Sequence, residues 1–230
     1  KYNRVVQLGT QNRSAVNFQS AIEYVKSGKL GKICEIGAWE CQLRPSIGNP
    51  PDSDPPATVD YDVWLGPAPK RPFNINRFHY NWHWFWDFGN GDIGNQGAHQ
   101  TDLARWLLGV TYPTKGSSMG GHFLFDDDQE TPNTQVATFE FDGLGKKKFL
   151  VFEVRHWMSN HEAGIGEGGK KKDSNTIGNI VYGSKGFMVV GGGYRTFLGR
   201  EQEPGPSRSG GGNHFKNFLD AMRSRKPSDL

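Results

Sequence analysis

The sequence lacks long apolar runs, dense basic clusters and enough cysteine for a disulfide framework. No stretch approaches the ~18 consecutive apolar residues of a membrane-spanning helix, so no span is predicted. Lys and Arg number 27 against 24 Asp and Glu, and no basic run is interleaved with aromatic residues, which argues against nucleic-acid binding. The two cysteines, Cys34 and Cys41, fall in one predicted strand, where about 3.3 Å per residue separates them by roughly 23 Å, too far to pair.

Two further signals are missing, a secretory leader and a glycine-rich nucleotide loop. The chain starts inside an apolar segment, Arg4 to Leu8, that we expect to be a strand. With no leader visible, the compartment stays open between cytoplasmic and periplasmic. Gly191 to Gly193 follows a predicted strand but precedes a segment typical of a strand or turn, so it does not fit a G-x-G-x-x-G loop at a helix start.

Glycine is plentiful, and it surrounds the most informative stretch, Gly91 to Gly109, GDIGNQGAHQTDLARWLLG. Gln96 to Leu108 has the periodicity of an amphipathic helix, and Gly109 is the expected stop signal. The predicted apolar stripe consists of Ala98, Leu103, Trp106 and Leu107.

Three polar residues stand at the start of that helix. Asn95, His99 and Asp102 are spaced i, i+4 and i+7, which places them on one helical face. A histidine with hydrogen-bonding neighbours on the same face is a candidate proton-transfer group. The alternative is a capped core helix whose histidine is hydrogen-bonded and inert.

An aromatic run between Phe73 and Phe88 includes Tyr80 and Trp82. An aromatic wall with polar tips suits the binding of sugar rings, and loops often carry function. A core plug or a subunit contact explains the same residues equally well. His79 and His83 are spaced i, i+4, but no H-E-x-x-H pattern accompanies them, so no metal site is predicted.

The order of predicted elements indicates the fold class. Two helices, Ala15 to Ser27 and Gln96 to Leu108, precede or interrupt a long series of strands, and a last helix covers His214 to Arg223. Arg200 to Gly212, rich in Pro, Gly and Ser, is expected to be a linker. This order predicts an α+β fold, with a large open, mostly antiparallel β-sheet covered by helices on one face.

Four blocks resemble the glucose–fructose oxidoreductase/inositol dehydrogenase (Gfo/Idh/MocA) family. The block LGTQNR, from Leu8, is similar to the strand and turn that end the family's nucleotide domain, and AIEYVKSGKLGKI, from Ala21, is similar to its helix followed by "G.lG.i". The block YDVWLGPAP, from Tyr61, is similar to a segment of one bacterial branch of the family. The block NQGAHQTD, from Asn95, is similar to the family's DxxxHxxD helix. The likeness that these blocks carry covers nearly the whole chain.

The resemblance implies a domain with the C-terminal, dihydrodipicolinate-reductase-like fold of that family. Residues 1–12 would be the end of an upstream nucleotide-binding domain, and residues 13–230 the substrate-binding and oligomerisation domain. NAD or NADP would be bound mainly by the upstream domain. The family's EKP motif, with its catalytic lysine, is absent and would lie upstream of Lys1, so this chain alone is expected to be inactive.

The resemblance also implies roles for individual residues. His99 would move the proton between hydroxyl and carbonyl, and Asn95, which stands where the family commonly has an aspartate, would orient the substrate. Arg13 and Asp102 would lie at the substrate, with Asp102 orienting His99 or binding a hydroxyl. Trp82 lies near where the family places an aromatic residue beside the nicotinamide.

The implied function is an NAD(P)-dependent oxidoreductase acting on a sugar, a cyclitol or a related small carbohydrate. Tyr80 and Trp82 are the aromatic candidates for substrate binding. A homo-oligomer formed through the β-sheet is expected, with no nucleic-acid or membrane partner. Two alternatives stay open: a carbohydrate-binding or assembly module without redox chemistry, and glycoside cleavage through transient oxidation.

Overall fold

The structure, a computed structural model, describes residues 4–143, 146–160 and 176–226. Its helices are α1 (Val16–Lys26), α2 (Tyr61–Leu65), α3 (Gly91–Gly94), α4 (Gln96–Leu108) and α5 (His214–Ser224), with 3₁₀ helices η1 (Gln11–Ser14), η2 (Ile75–Arg77) and η3 (His79–Trp84). Its strands are β1 (Ile33–Glu40), β2 (Lys115–Gly121), β3 (Thr134–Gly143), β4 (Lys146–Arg155), β5 (Ile177–Gly183), β6 (Gly186–Val190), β7 (Gly193–Leu198) and β8 (Glu203–Ser209).

The strands form one eight-stranded sheet in the order β2-β3-β4-β1-β5-β6-β7-β8. Every neighbouring pair is antiparallel except β1 and β4, which run parallel. Strand β1 comes first in the chain but lies in the middle of the sheet, between the antiparallel group β2–β4 and the antiparallel group β5–β8. The predicted α+β fold with an open, mostly antiparallel sheet is confirmed.

Helices α1 and α4 pack on one face of this sheet and enclose the main core. Alternation along β4 points Leu150, Phe152 and Val154 toward the helices. The approach of α4 is close, because a Cβ on Gly97 would lie 3.1 Å from the ring of Phe152. The helical part of this core consists of Ala21, Ile22, Val25, Leu103, Ala104, Leu107 and Leu108.

The other face of the sheet carries a second, smaller apolar cluster around Trp39, Ile180 and Val189. On the same face, five residues that are register partners on neighbouring strands form a row from β4 to β7. The row consists of Phe149, Glu35, Tyr182, Phe187 and Phe197. Phe149 and Tyr182 are 38% and 45% exposed, so this face presents apolar surface that the described residues leave uncovered.

The predicted helix Gln96–Leu108 is confirmed, but its stripe was wrong at one position. Ala98 is exposed, whereas Gly97, Gln100 and Ala104 face the core. Gly97 allows the helix to lie close to Phe152. The backbone carbonyl of Gln100 accepts a hydrogen bond from the Asn179 side chain, so the inner face of α4 carries small and polar residues as well as apolar ones.

Two other sequence predictions were wrong. Residues 4–8 form no strand, and Val6 and Leu8 are 80% and 75% exposed, because no strand of the described chain pairs with them. The predicted linker contains strand β8, which pairs with β7. Pro204 and Pro206 are compatible with this strand because it lies at the edge of the sheet, where a missing N–H breaks no inner ladder.

The fold makes a direct prediction about core packing. Phe152→Ala removes a fully buried ring between the sheet and α4 and should lower the free energy of unfolding by about 3–5 kcal/mol. The matched control Phe123→Ala removes an exposed ring and should change it by less than about 0.5 kcal/mol. Urea denaturation measures both, and equal losses would contradict the assigned core.

Candidate active site

The first turn of α4 is entered through a tight, glycine-containing bend. Gly91 has φ 65°, and a Cβ there would lie 2.9 Å from the side chain of Thr131, so this position requires glycine. Helix α3 starts at this residue and leads directly to Asn95, which is the residue preceding α4. The bend therefore fixes where the polar start of α4 lies relative to the sheet.

Asn95 and Asp102 have separate partners, and Asn95 precedes α4 with a non-helical backbone, φ −82° and ψ −93°. The Asn95 amide donates from Nδ2 to Asp92 Oδ1 over 2.9 Å. His99 is half-buried, and its Nδ1 is buried without a hydrogen-bond partner in the described part of the chain. A buried ring nitrogen in this state requires an explanation, such as an ordered water or a catalytic role.

Asp102 is bound by Arg13 from η1. Arg13 Nε and Nη2 donate to the two carboxylate oxygens of Asp102 over 2.8 and 2.7 Å, a bidentate pair. The guanidinium also lies 5.1 Å from the ring centroid of Trp106, one turn further along α4. The hydrogen bond that Arg13 donates to Asp102 raises the pKa of Arg13. The structure thus brings together Arg13 and Asp102, and among the described residues no hydrogen bond links Asp102 to His99.

A buried polar cluster lies behind Asn95, and the sequence reasoning missed it. Asp92 is at its centre. Arg44 donates to Asp92 from Nε and from Nη2, each at a distance of 3.2 Å, and His156 Nε2 lies 2.8 Å from Asp92 Oδ2. Asn95 is its fourth donor. Glu40 Oε1 lies 3.4 Å from Arg44 Nη2. Asp92, His156 and Glu40 are fully buried.

Burial and neighbouring charges shift the pKa values of the two carboxyl groups of this cluster in opposite directions. Burial acts to raise the pKa of Asp92, but hydrogen bonds from His156 and Asn95 and the charge of Arg44 outweigh it, so the pKa is lowered. For Glu40, burial and the neighbouring Asp92 raise the pKa to about 8. Burial acts to lower the pKa of Arg44, and the contacts with Asp92 more than reverse that effect.

Tyr80 and Trp82, both on η3, lie in different surroundings. The Tyr80 hydroxyl accepts a hydrogen bond from Arg44 Nη1 over 2.8 Å, so Tyr80 is joined through Arg44 and Asp92 to Asn95. Trp82 instead lines a cavity of about 490 Å³ whose lining does not include His99 or Asn95. The other walls of this cavity are Trp64, Leu65, Pro67, Ala68, Pro69, Asp87 and Phe88.

A second cavity, of about 270 Å³, adjoins the start of α4. Asn12 from η1 and Gln96 and Gln100 from α4 contribute uncharged amide side chains to its lining. None of the described residues that line it is charged.

The described residues contain no cluster of three or more His, Cys, Asp or Glu side chains placed to hold a metal ion. Cys34 and Cys41 are free thiols. No described helix has both the length and the apolar character needed to cross a membrane. The described ranges also hold no G-x-G-x-x-G phosphate loop at a helix start.

Comparison with known proteins agrees with this architecture. Residues 45–116 match the Gfo/Idh/MocA family model described as "Oxidoreductase family, C-terminal alpha/beta domain". The matched segment runs from the loop after β1 through α4 and includes Asp92, Asn95 and His99. The resemblance to this family's C-terminal domain is therefore confirmed. Comparison with curated proteins gives no match.

Solved structures share the fold at low sequence identity. A Thermotoga maritima protein designated an oxidoreductase superposes with a TM-score of 0.58 at 15% identity, over 95% of this chain and 53% of its own. The Bordetella pertussis WlbA dehydrogenase, in complex with NADH and UDP-GlcNAcA, gives 0.55 at 15% identity, over 97% and 53%. Levoglucosan dehydrogenase, in complex with NADH and levoglucosan, gives 0.56 at 13%, over 90% and 48%. The chain thus spans about half the length of these proteins.

The buried cluster predicts a contrast between two aspartates. Asp92→Ala leaves the Arg44 charge buried without its main partner and should lower the free energy of unfolding by about 3–5 kcal/mol. Asp102→Ala disrupts a pair whose arginine side chain is 43% exposed, and should cost about 0–1 kcal/mol. Chemical denaturation separates the two, and a larger loss for Asp102→Ala would contradict the assigned cluster.

The raised pKa of Glu40 predicts a pH dependence of stability. Between its ordinary value of 4.5 and about 8, folded Glu40 holds a proton that the unfolded chain has lost. Its contribution is therefore fully present below about pH 4.5 and is lost as the pH rises through about 8. Glu40→Gln should flatten the decline in Tm between about pH 6 and about pH 9, whereas Glu35→Gln, an exposed change on the same strand, should retain it. Parallel declines in all three proteins would contradict the assignment.

Proposed function

We propose that this chain is the C-terminal, substrate-binding and catalytic-histidine domain of an NAD(P)-dependent oxidoreductase acting on a sugar, a cyclitol or a related hydroxyl or carbonyl compound. The observation that carries this proposal is the buried, unpartnered Nδ1 of His99 in the first turn of α4, with Asn95 immediately before the helix and Asp102 in its next turn. The oxidoreductase family match and the dehydrogenase folds bound to NADH and sugar-derived ligands support the proposed chemistry.

In this mechanism His99 takes the proton from the reacting hydroxyl in the oxidative direction and returns it in the reductive one. An imidazole exchanges protons near neutral pH without special tuning. The nicotinamide, when bound, supplies or accepts the hydride. Because Asn95 donates from Nδ2 to Asp92, its carbonyl oxygen is the end that can accept a hydrogen bond from a substrate hydroxyl. An amide is not a general base, so Asn95 orients the substrate.

Arg13, Asp102 and Tyr80 complete the proposed substrate site, and Trp82 lines a separate cavity whose lining does not include His99. The Arg13–Asp102 pair carries balanced charge beside His99 and offers its remaining N–H groups to hydroxyls. Tyr80 is held by Arg44, at the same cluster that holds Asn95. Trp82 would bind the apolar face of a sugar ring in its aromatic cavity, and its contact with the nicotinamide stays a prediction.

The proposal includes a nucleotide-binding domain upstream of residue 13, with residues 1–12 as its end. The chain's coverage of only about half of the NADH-bound dehydrogenases supports this division. The coding sequence upstream of Lys1 should encode a G-x-G-x-x-G loop and the family's EKP motif. An upstream sequence without a nucleotide-binding domain would overturn the oxidoreductase assignment and favour the carbohydrate-binding alternative.

The Trp82 cavity is the observation that favours this second candidate, a carbohydrate-binding module without redox chemistry. Aromatic walls at the cavity would bind sugar rings whether or not a hydride is transferred. Sugar binding by the isolated chain, combined with the absence of turnover in the full-length protein, would favour it.

Catalysis gives the first functional prediction. In the full-length protein assayed with NAD or NADP against sugars and inositols, His99→Ala should lower kcat/KM by about 10²–10⁴-fold, because it removes the proton-transfer group. Asp126→Ala, in the loop after β2, should have little effect. Unchanged activity in His99→Ala would overturn the assigned role.

We also propose that the open face of the sheet joins two copies of this chain. The row from Phe149 to Phe197 is apolar except for Glu35, and its exposed rings match the surface of a self-complementary contact. Residues Phe187 and Phe197 stack with 4.8 Å between ring centroids, which makes this surface rigid.

Tyr182→Glu should therefore dissociate the oligomer, because it places a charge in the middle of the contact. Tyr112→Glu is the matched control: the residue is 83% exposed and lies outside the sheet, so the assembly should persist. Light scattering coupled to size-exclusion chromatography measures the mass of each. A monomeric wild-type protein, or an intact Tyr182→Glu oligomer, would contradict the proposed interface.

A further inference from the structure

Glu40, in the last position of β1, is a buried carboxyl group that the proposed reaction does not use. It is 0% exposed. Its Oε1 has one long contact, 3.4 Å to Arg44 Nη2, and its Oε2 is buried with no hydrogen-bond partner among the described residues. An ionised carboxylate would be expected to collect several donors in such a place.

The donors are instead concentrated on the neighbouring carboxylate. Asp92 accepts from Arg44, His156 and Asn95. Glu40 has only the longer contact with Arg44 Nη2, a nitrogen that also donates to Asp92. Two buried carboxylates that share one guanidinium are not both ionised without a large penalty, so one of them retains a proton. The contacts identify that group as Glu40.

Among the described residues, Arg44 is the one cation whose charge acts on Glu40. The adjacent Cys41 thiol is neutral, because burial and then the charge of Glu153 raise its pKa to about 12. Tyr80 faces the cluster with a hydroxyl that accepts from Arg44. His156 is committed through Nε2 to Asp92.

We propose that Glu40 is a positioning residue: in its protonated form it leaves Arg44 bound to Asp92, and Asp92 in turn fixes the Asn95 amide at the start of α4. Loss of this proton creates a second anion beside Arg44. The guanidinium is then shared between two carboxylates, and the Asp92–Asn95 contact changes. Burial together with Asp92 places this transition near pH 8.

The central test follows the side-chain amide of Asn95 by ¹⁵N NMR in the full-length protein as the pH is raised. In the wild type its resonance should shift with a midpoint near pH 8. Glu40→Gln, which imitates the protonated carboxyl, should abolish the shift, and Glu35→Gln on the same strand should retain it. A flat wild-type titration would overturn the proposal. So would an unchanged midpoint in Glu40→Gln, as expected if His156 were the titrating group.

A second measurement covers the case in which Glu40→Gln does not fold. Wild-type protein labelled with ¹³C at the glutamate carboxyl should show one glutamate that titrates near pH 8. If every glutamate carboxyl titrates near its ordinary value of 4.5, Glu40 does not hold the proton and the proposal fails.

The kinetic part rests on the proposed oxidoreductase function. The wild-type kcat should fall above about pH 8 while KM changes little, and Glu40→Gln should lack this decline. Retention of the decline in Glu40→Gln would overturn the positioning role. If no sugar or cyclitol is turned over but the Asn95 titration behaves as expected, the proposed function fails and the assignment of Glu40 stands.

Discussion

The contact between the Arg44 guanidinium and the Asp92 carboxylate is the interaction that holds together the buried polar cluster at the start of α4. It joins the loop after β1 to the short helix α3, and through Asn95 it reaches the first turn of α4. Because both groups are largely buried, removing either partner leaves a charge without solvent or counter-ion. The start of α4 is thus fixed from the sheet side by charge, while apolar packing on Phe152 fixes its height above the sheet.

This arrangement separates two tasks along one helix. Toward the C-terminal end of α4, Leu103, Leu107 and Leu108 pack on the sheet and hold the helix in place. Earlier in α4, His99 and the Arg13-bound Asp102 are half-buried, and the described residues leave the buried Nδ1 of His99 unpartnered. In the proposed function, this rigid element positions His99 for proton transfer.

Much of the fold could be predicted from the sequence, because α4 has clear helical periodicity and a glycine stop, and its bounds agree with the structure. Strand β8 could not, since its Pro and Gly content is typical of a linker and only pairing at the sheet edge makes it a strand. The cluster of Glu40, Asp92 and His156 was missed because tertiary structure alone brings these positions together. One signal was available: Glu40 shares a strand face with Ile36 and Ala38, so alternation alone predicts a carboxyl group on a buried face.

The most direct test of the account is a structure of the full-length protein bound to a nicotinamide dinucleotide and a sugar or cyclitol substrate. The account predicts a His99 ring nitrogen within about 3.2 Å of the hydroxyl on the reacting carbon, with the Asn95 carbonyl oxygen accepting from a hydroxyl of the same ligand. A His99 ring packed away from the ligand, with another group at the reacting hydroxyl, would contradict it.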